Sequence, residues 1–104
     1  MKADLLPLSG ISDALASGQV SPEALLEASL ERIRALDARV HAFLRLTEME
    51  ARTAAKASAQ RRKSKKPLGP LDGVPVALKD IFCMEGVETT CGSKILRGWI
   101  SKKI

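Results

Sequence analysis

A chain of 104 residues can close at most one small domain, and with three aromatic residues and no tyrosine its core must rest on leucine, isoleucine, valine and alanine. Hydrophobic content of 45% is ordinary for a folding chain and 28% charged residues for a soluble one. The net charge of +5 is local: Arg61, Arg62, Lys63, Lys65 and Lys66 hold five of 17 basic residues, and the remaining 12 balance 12 acids, so a uniformly basic surface is excluded.

Taken in chain order, Met1 to Leu8 holds no apolar export segment, and no run approaches about 18 apolar residues, so a cytoplasmic chain without a membrane span is expected. Ser9 precedes a short helical pattern from Ile11 to Ser17, which Gly18 is placed to end. Ser21, Pro22 and Glu23 supply an N-cap, a first-turn proline and a first-turn acid. Leu26, Leu30 and Ile33 then build an apolar stripe, widened by Leu25 and Leu36, for a helix over about 22–38. Residues 40–46 suit a short strand or a link between helices, with His41 as a structural side chain at the junction. Thr47 with Glu50 has capping-box spacing before an alanine-rich helix that runs to Ala59.

The basic tract then leads into Pro67, Leu68, Gly69 and Pro70. Like charges at this density repel one another and favour an exposed, mobile connector. A contact with nucleic acid or another anionic partner is the sharper reading, but no aromatic residue lies within the tract to stack on bases. Beyond Leu78, Ile81 to Met84 stays apolar, Glu85 and Gly86 turn the chain, residues 87–91 are β-like, and residues 92–96 form a turn entering a short helix. Cys83 and Cys91 read as reduced thiols of an intracellular protein, with Cys91 more a small buried hydrophobe than a nucleophile. With His41 distant, they make a poor metal site, and no cofactor is expected in this chain.

The most chemically loaded stretch is residues 69–80, Gly-Pro-Leu-Asp-Gly-Val-Pro-Val-Ala-Leu-Lys-Asp. Its glycines lack phosphate-loop spacing, and its prolines withhold the N–H donors such a loop needs. Val74, Val76 and Leu78 fall on one face of a strand, and Pro75, Ala77 and Lys79 on the other. A lysine closing an apolar strand is costly unless it reaches water, finds a partner, or has work that needs it neutral. The ordinary explanation is a structural lysine whose head snorkels to solvent. Asp80 would cap a turn or orient its neighbour, and Thr89, Thr90 and Ser93 read as ordinary strand and turn residues.

Together with residues 86–96, Gly-Val-Glu-Thr-Thr-Cys-Gly-Ser-Lys-Ile-Leu, this stretch resembles the amidase signature family. Leu15, Gly18, Ser21, Glu23, Leu26, Arg32, Ile33 and residues 41–43 extend the likeness over about residues 10–100. The Thr89-Thr90-Cys91 form points to the tRNA-dependent amidotransferase branch. The resemblance implies an α/β fold: an N-terminal helical hairpin plus the first strands of the α/β/α mixed sheet, incomplete in these residues. It divides the chain into a helical part (1–60), a basic linker (61–68) and a strand region (69–100). It implies a Ser–cis-Ser–Lys triad in which Lys79 is the base. It also implies glutamine as amide substrate, ammonia as product, and the amidotransferase B and C subunits as partners, with ATP and magnesium used by the partner to convert Glu-tRNA(Gln) to Gln-tRNA(Gln).

Beyond Ile100, where the family continues with a Pro-Pro-Tyr-Asp/Asn-Ala-Thr-like segment, this sequence reads Ser-Lys-Lys-Ile. No serine here, Ser93 included, sits in a glycine-rich segment of the kind that carries the triad serines. The expectation is an inactive N-terminal fragment, truncated or frameshifted, with exposed strands that make it marginal or dependent on a partner. A fragment of another amidase-family hydrolase and a non-catalytic module binding a partner subunit or RNA are the alternatives.

Overall fold

The computed structural model describes residues 6–102. Most of the Met1 to Leu8 stretch, and the last two residues of the closing Ser-Lys-Lys-Ile, lie outside the described residues. Three α-helices follow one another: α1 (Leu8–Ser17), α2 (Pro22–Val40) and α3 (Glu48–Lys63). A single 3-10 turn, Lys94–Leu96, is the remaining helical element among the described residues.

The helix ends largely obey local chemistry. Gly18 takes the left-handed conformation, φ 79°, and the amides after α1 turn back onto its last carbonyls, Gln19 N to Ala14 O at 2.9 Å. Ser21 caps α2 through its hydroxyl, which accepts from Ala24 N at 3.0 Å, with Pro22 in the first turn. α2 outlasts its predicted end by two residues and stops at His41, which adopts φ 54° and donates its N–H to Asp37 O at 2.7 Å. Asp37 Oδ1 also accepts from Ala42 N at 2.7 Å, so a left-handed histidine closes this helix where glycine would be usual. The capping box at Thr47 does not form: its hydroxyl makes no cap bond, because ψ of 63° takes it out of the extended conformation that aims an N-cap side chain at the helix amides. Glu48 instead pairs with Arg34 across the hairpin at 2.8 Å.

α2 and α3 form a helical hairpin. Leu26 and Leu30 pack against Ala51 and Ala55, and alanines on α3 allow the close approach. A second small cluster joins Leu15 of α1 to Leu25 of α2, with Ile11, Val20 and Val74 against it. Ion pairs of Arg52 with Glu27 (2.7 Å) and Glu48 (3.7 Å) brace the exposed side, where such pairs contribute little.

The basic tract departs from its reading as an exposed connector. α3 continues through Lys63, and Arg61 and Arg62 reach into the turn that follows. Arg61 grips both oxygens of Asp72, at 2.8 and 2.7 Å, while Arg62 donates to Asp72 O at 2.9 Å. Asp72 Oδ2 also accepts from Leu68 N, and Ser12 of α1 donates to Pro70 O at 2.7 Å. Repulsion within the tract is therefore relieved at two positions by an internal carboxylate and carbonyls, a long-range pairing that charge spacing alone does not reveal.

The strands are the larger correction. Residues 74–79 form no strand, and residues 75–78 make no backbone–backbone hydrogen bond among the described residues. Isolated bridges join Met84 to Val87 and Glu88 to Ile100, and nothing longer develops. A strand exists only when a neighbouring backbone runs alongside at hydrogen-bonding distance, and no described segment takes that place beside residues 74–79. The result is elongated, with a radius of gyration of 15.0 Å and extents of 46 × 32 × 21 Å, against about 13 Å for a compact domain of this length. No helix among the described residues is long and apolar enough to cross a membrane.

Candidate active site

Lys79 lies at the end of the unpaired apolar stretch, and its side chain is exposed. The stretch begins at a firmly seated turn. Gly73 has φ 102°, and a Cβ there would stand 2.8 Å from both Pro22 Cγ and Ser58 Oγ, so the turn touches α2 and α3 at once and only glycine fits. Next to it, Asp72 has 4% of its side chain exposed. The Arg61 guanidinium holds its carboxyl far below the usual carboxylate range, against the opposing effect of burial, with the Leu68 amide assisting. The buried Ser58 hydroxyl sits close enough to help, yet its oxygen meets no partner at hydrogen-bonding geometry.

Beyond Lys79 the chain is anchored again. Asp80 accepts from the Thr90 hydroxyl and from Thr90 N at 3.1 Å, and its own carbonyl accepts from Cys91 N at 2.8 Å. The Thr90 hydroxyl, the Thr90 amide and the charge of Arg45 together lower the Asp80 carboxyl below its ordinary value. Arg45, from the link between α2 and α3, lies 3.5 Å from Asp80 Oδ1, donates to Glu88 O at 2.7 Å and pairs with the Glu88 carboxylate. The other Glu88 oxygen accepts from Gly98 N. Buried Thr89 donates its hydroxyl to Phe82 O at 3.3 Å and its amide to Trp99 O at 3.1 Å.

Lys79 is therefore held between two fixed points, the Asp72 turn and the Asp80 network. Asp80 does order local backbone, as its position suggested. Thr90, Arg45 and Glu88 escaped sequence reasoning, since their roles arise from partners 10, 35 and 43 residues away. Beside them, Lys79 faces a groove of about 1060 Å³ lined by the apolar side of the helical hairpin, the α2–α3 link and residues 72–82.

Several serine hydroxyls among the described residues are engaged in local structure. Ser21 and Ser93 cap helical turns, Ser12 and Ser29 donate to backbone carbonyls, and Ser58 is buried against Gly73. Cys83 and Cys91 are free and exposed, so Cys91 is not the buried hydrophobe expected; the bond of Cys91 N to Asp80 O places it, at φ 53°, in the wall of the network with its side chain outward. No group of three or more His, Cys, Asp or Glu side chains among the described residues is arranged to hold a metal ion.

The profile of the Amidase family matches residues 24–103, which include the hairpin, the Asp72 turn and Lys79. The chain belongs to the amidase family. It is 56% identical over 86 residues to the A subunit of glutamyl-tRNA(Gln) amidotransferase from Myxococcus xanthus, covering 83% of this chain and 18% of that protein. It is 47% identical over 100 residues to the protein of the same name in Streptomyces coelicolor, covering 94% and 20%. A solved chain from a vestigial protein complex, reported for the evolutionary origins of an s-triazine catabolic enzyme, superposes with a TM-score of 0.89 at 36% identity, over 94% of this chain and 22% of its own. This amidase-family chain thus spans about a fifth of the length of these relatives.

Proposed function

We propose that this chain supplies the lysine limb of a Ser–cis-Ser–Lys amidase site, as the N-terminal part of an A subunit of the tRNA-dependent amidotransferase type. In this reading residues 1–60 are the helical part, residues 61–68 the basic connection and residues 69–100 the segment that presents Lys79. The observation that carries it is the double anchoring of Lys79, by the Arg61–Asp72 turn before it and the Asp80–Thr90–Arg45 network after it, at the rim of an apolar groove. A base must hold its position relative to its proton donor within fractions of an ångström, and anchors on both sides of one residue serve that need.

Lys79 in its neutral form takes a proton, through a bridging serine, from a nucleophilic serine. That serine attacks the side-chain amide of glutamine, an acyl-enzyme forms, and the amide nitrogen leaves as ammonia carrying the relayed proton. Water then releases glutamate. The ammonia passes, in the cytoplasm, to the B subunit of a complex that also holds the C subunit, where ATP and magnesium activate Glu-tRNA(Gln). Residues 1–104 by themselves hydrolyse no amide, because the serines on which this series of proton transfers depends are not among them.

A chimera tests the assignment. The 18% of the Myxococcus xanthus protein that matches this chain is replaced by the present sequence, and ammonia release from glutamine is measured. The chimera should be active, and Lys79→Ala should lower kcat at least about a thousandfold with little change in KM. An active chimera indifferent to Lys79→Ala overturns the role of Lys79. Lys79-dependent ammonia release by the isolated chain would overturn its predicted inactivity.

A further inference from the structure

Lys79 takes its place from a series of hydrogen bonds that leads back to one side chain beside the helical hairpin. The Lys79 carbonyl accepts from Phe82 N at 3.1 Å, and the Phe82 carbonyl accepts from the hydroxyl of buried Thr89 at 3.3 Å. Asp80, next in sequence, is bound to Thr90 through its carboxylate and to Cys91 N through its carbonyl. The turn at residues 79–82 and the segment at residues 89–91 therefore form one unit. Arg45 joins that unit to the link between α2 and α3. Its Nη1 donates to Glu88 O at 2.7 Å and lies 3.5 Å from Asp80 Oδ1, while its Nη2 donates to the Glu88 carboxylate.

An ion pair that only braces an exposed surface contributes little, as with Arg52 beside Glu27 and Glu48. Arg45 differs from Arg52 in its surroundings and in its reach. Its side chain is 31% exposed against 45% for Arg52, and the Asp80 and Glu88 side chains it meets are 18% and 28% exposed. One of its acceptors is a main-chain carbonyl, and one of its carboxylates belongs to the residue that follows Lys79. The two donor nitrogens of a planar guanidinium fix distance and angle together, which the single ammonium of a lysine cannot do. This is the arrangement of a clamp on the turn that carries Lys79.

We propose that Arg45 is a positioning residue for the amide hydrolysis: by clamping Asp80 and Glu88 to the α2–α3 link it sets where Lys79 stands relative to the serine that must pass it a proton. The inference rests on the reading of Lys79 as the base. A displacement of about 1 Å in such a group can cost about a hundredfold in rate. Arg45 acts on the proton transfer through Asp80, so its removal lowers kcat and spares KM.

The chimera described above carries the test, with ammonia release from glutamine and helical circular dichroism measured for each variant. Arg45→Met keeps an unbranched side chain and removes its charge and donors. It should lower kcat about ten- to a hundredfold and change KM by less than about twofold. Arg45→Lys keeps the charge without the fork, and its kcat should lie between those of Arg45→Met and the parent. Arg52→Met removes only the exposed braces and should keep kcat within about twofold of the parent. If Lys79→Ala abolishes ammonia release while Arg45→Met keeps kcat within about twofold, the positioning role is overturned and Lys79 stands as the base. The role is equally overturned if KM rises in place of the fall in kcat, if Arg45→Lys is as slow as Arg45→Met, or if the loss in Arg45→Met is matched by lost helical signal. A chimera indifferent to Lys79→Ala defeats the reading of Lys79, and this inference with it.

Discussion

Replacing Gly73 with alanine probes the joint on which the whole Lys79 segment turns. The new methyl would lie 2.8 Å from Pro22 Cγ and from Ser58 Oγ, and 3.1 Å from Pro22 Cβ. Pro22 is the first residue of α2, buried and rigid, and cannot withdraw. Placing an L-residue at φ 102° costs at least about 1–2 kcal/mol, and forcing a methyl into filled space about 1–3 kcal/mol more. The expected loss is about 2–5 kcal/mol, a large part of the stability of any small domain. Urea unfolding followed by helical circular dichroism measures it. Ser58→Ala removes one of the two closest contacts together with a buried, unpartnered hydroxyl, so Gly73→Ala should cost about 0.5–1 kcal/mol less in that background. Gly69→Ala, with nothing within 4 Å of its Cβ, should stay within about 0.5 kcal/mol of the parent. A Gly73→Ala loss below about 0.5 kcal/mol, or one unchanged by Ser58→Ala, would refute the seating of this turn on the hairpin.

Other consequences are as direct. Asp72 has a carboxyl held below its unfolded value, so its stabilisation is complete above about pH 4 and is lost as pH falls through the lowered range. The melting temperatures of parent and Asp72→Asn should therefore differ most above about pH 4 and converge on acidification. Arg45→Met removes the cation shared by Asp80 and Glu88, so hydrogen exchange at the Thr90 and Gly98 amides should quicken about tenfold or more while mid-α2 amides keep their protection. Leu25→Ala empties a site that is 1% exposed and should cost about 2–5 kcal/mol in urea unfolding. Ile95→Ala, at a residue 92% exposed, should change stability by less than about 0.5 kcal/mol.

Much of the helical part was legible in the sequence because its causes are local. Ser21, Pro22 and the leucine stripe of α2, and Gly18 after α1, act within one or two turns of where they stand. The likeness around residues 69–96 equally identified the amidase family, and it singled out Lys79 before any geometry was known. Where spacing misled, the deciding partner lay elsewhere. Thr47 and Glu50 have the separation of a capping box, but the link from α2 gives Thr47 a conformation that cannot use it. Arg61 and Arg62 read as part of a repelling tract until the turn at Asp72 folds back onto them.

By itself, then, the sequence determined that three helices form, where α1 stops and α2 starts, and which family the chain joins, since each is encoded in contiguous residues. Only the tertiary structure decided that Arg45, Asp80, Glu88 and Thr90 form one network, because opposite charges many positions apart show no sign of their meeting until the chain is folded. It also decided that the period-two pattern of residues 74–79 makes no strand among the described residues. Alternation specifies which side chains share a face, but pairing depends on a second backbone, and that is a property of the surroundings and not of the segment.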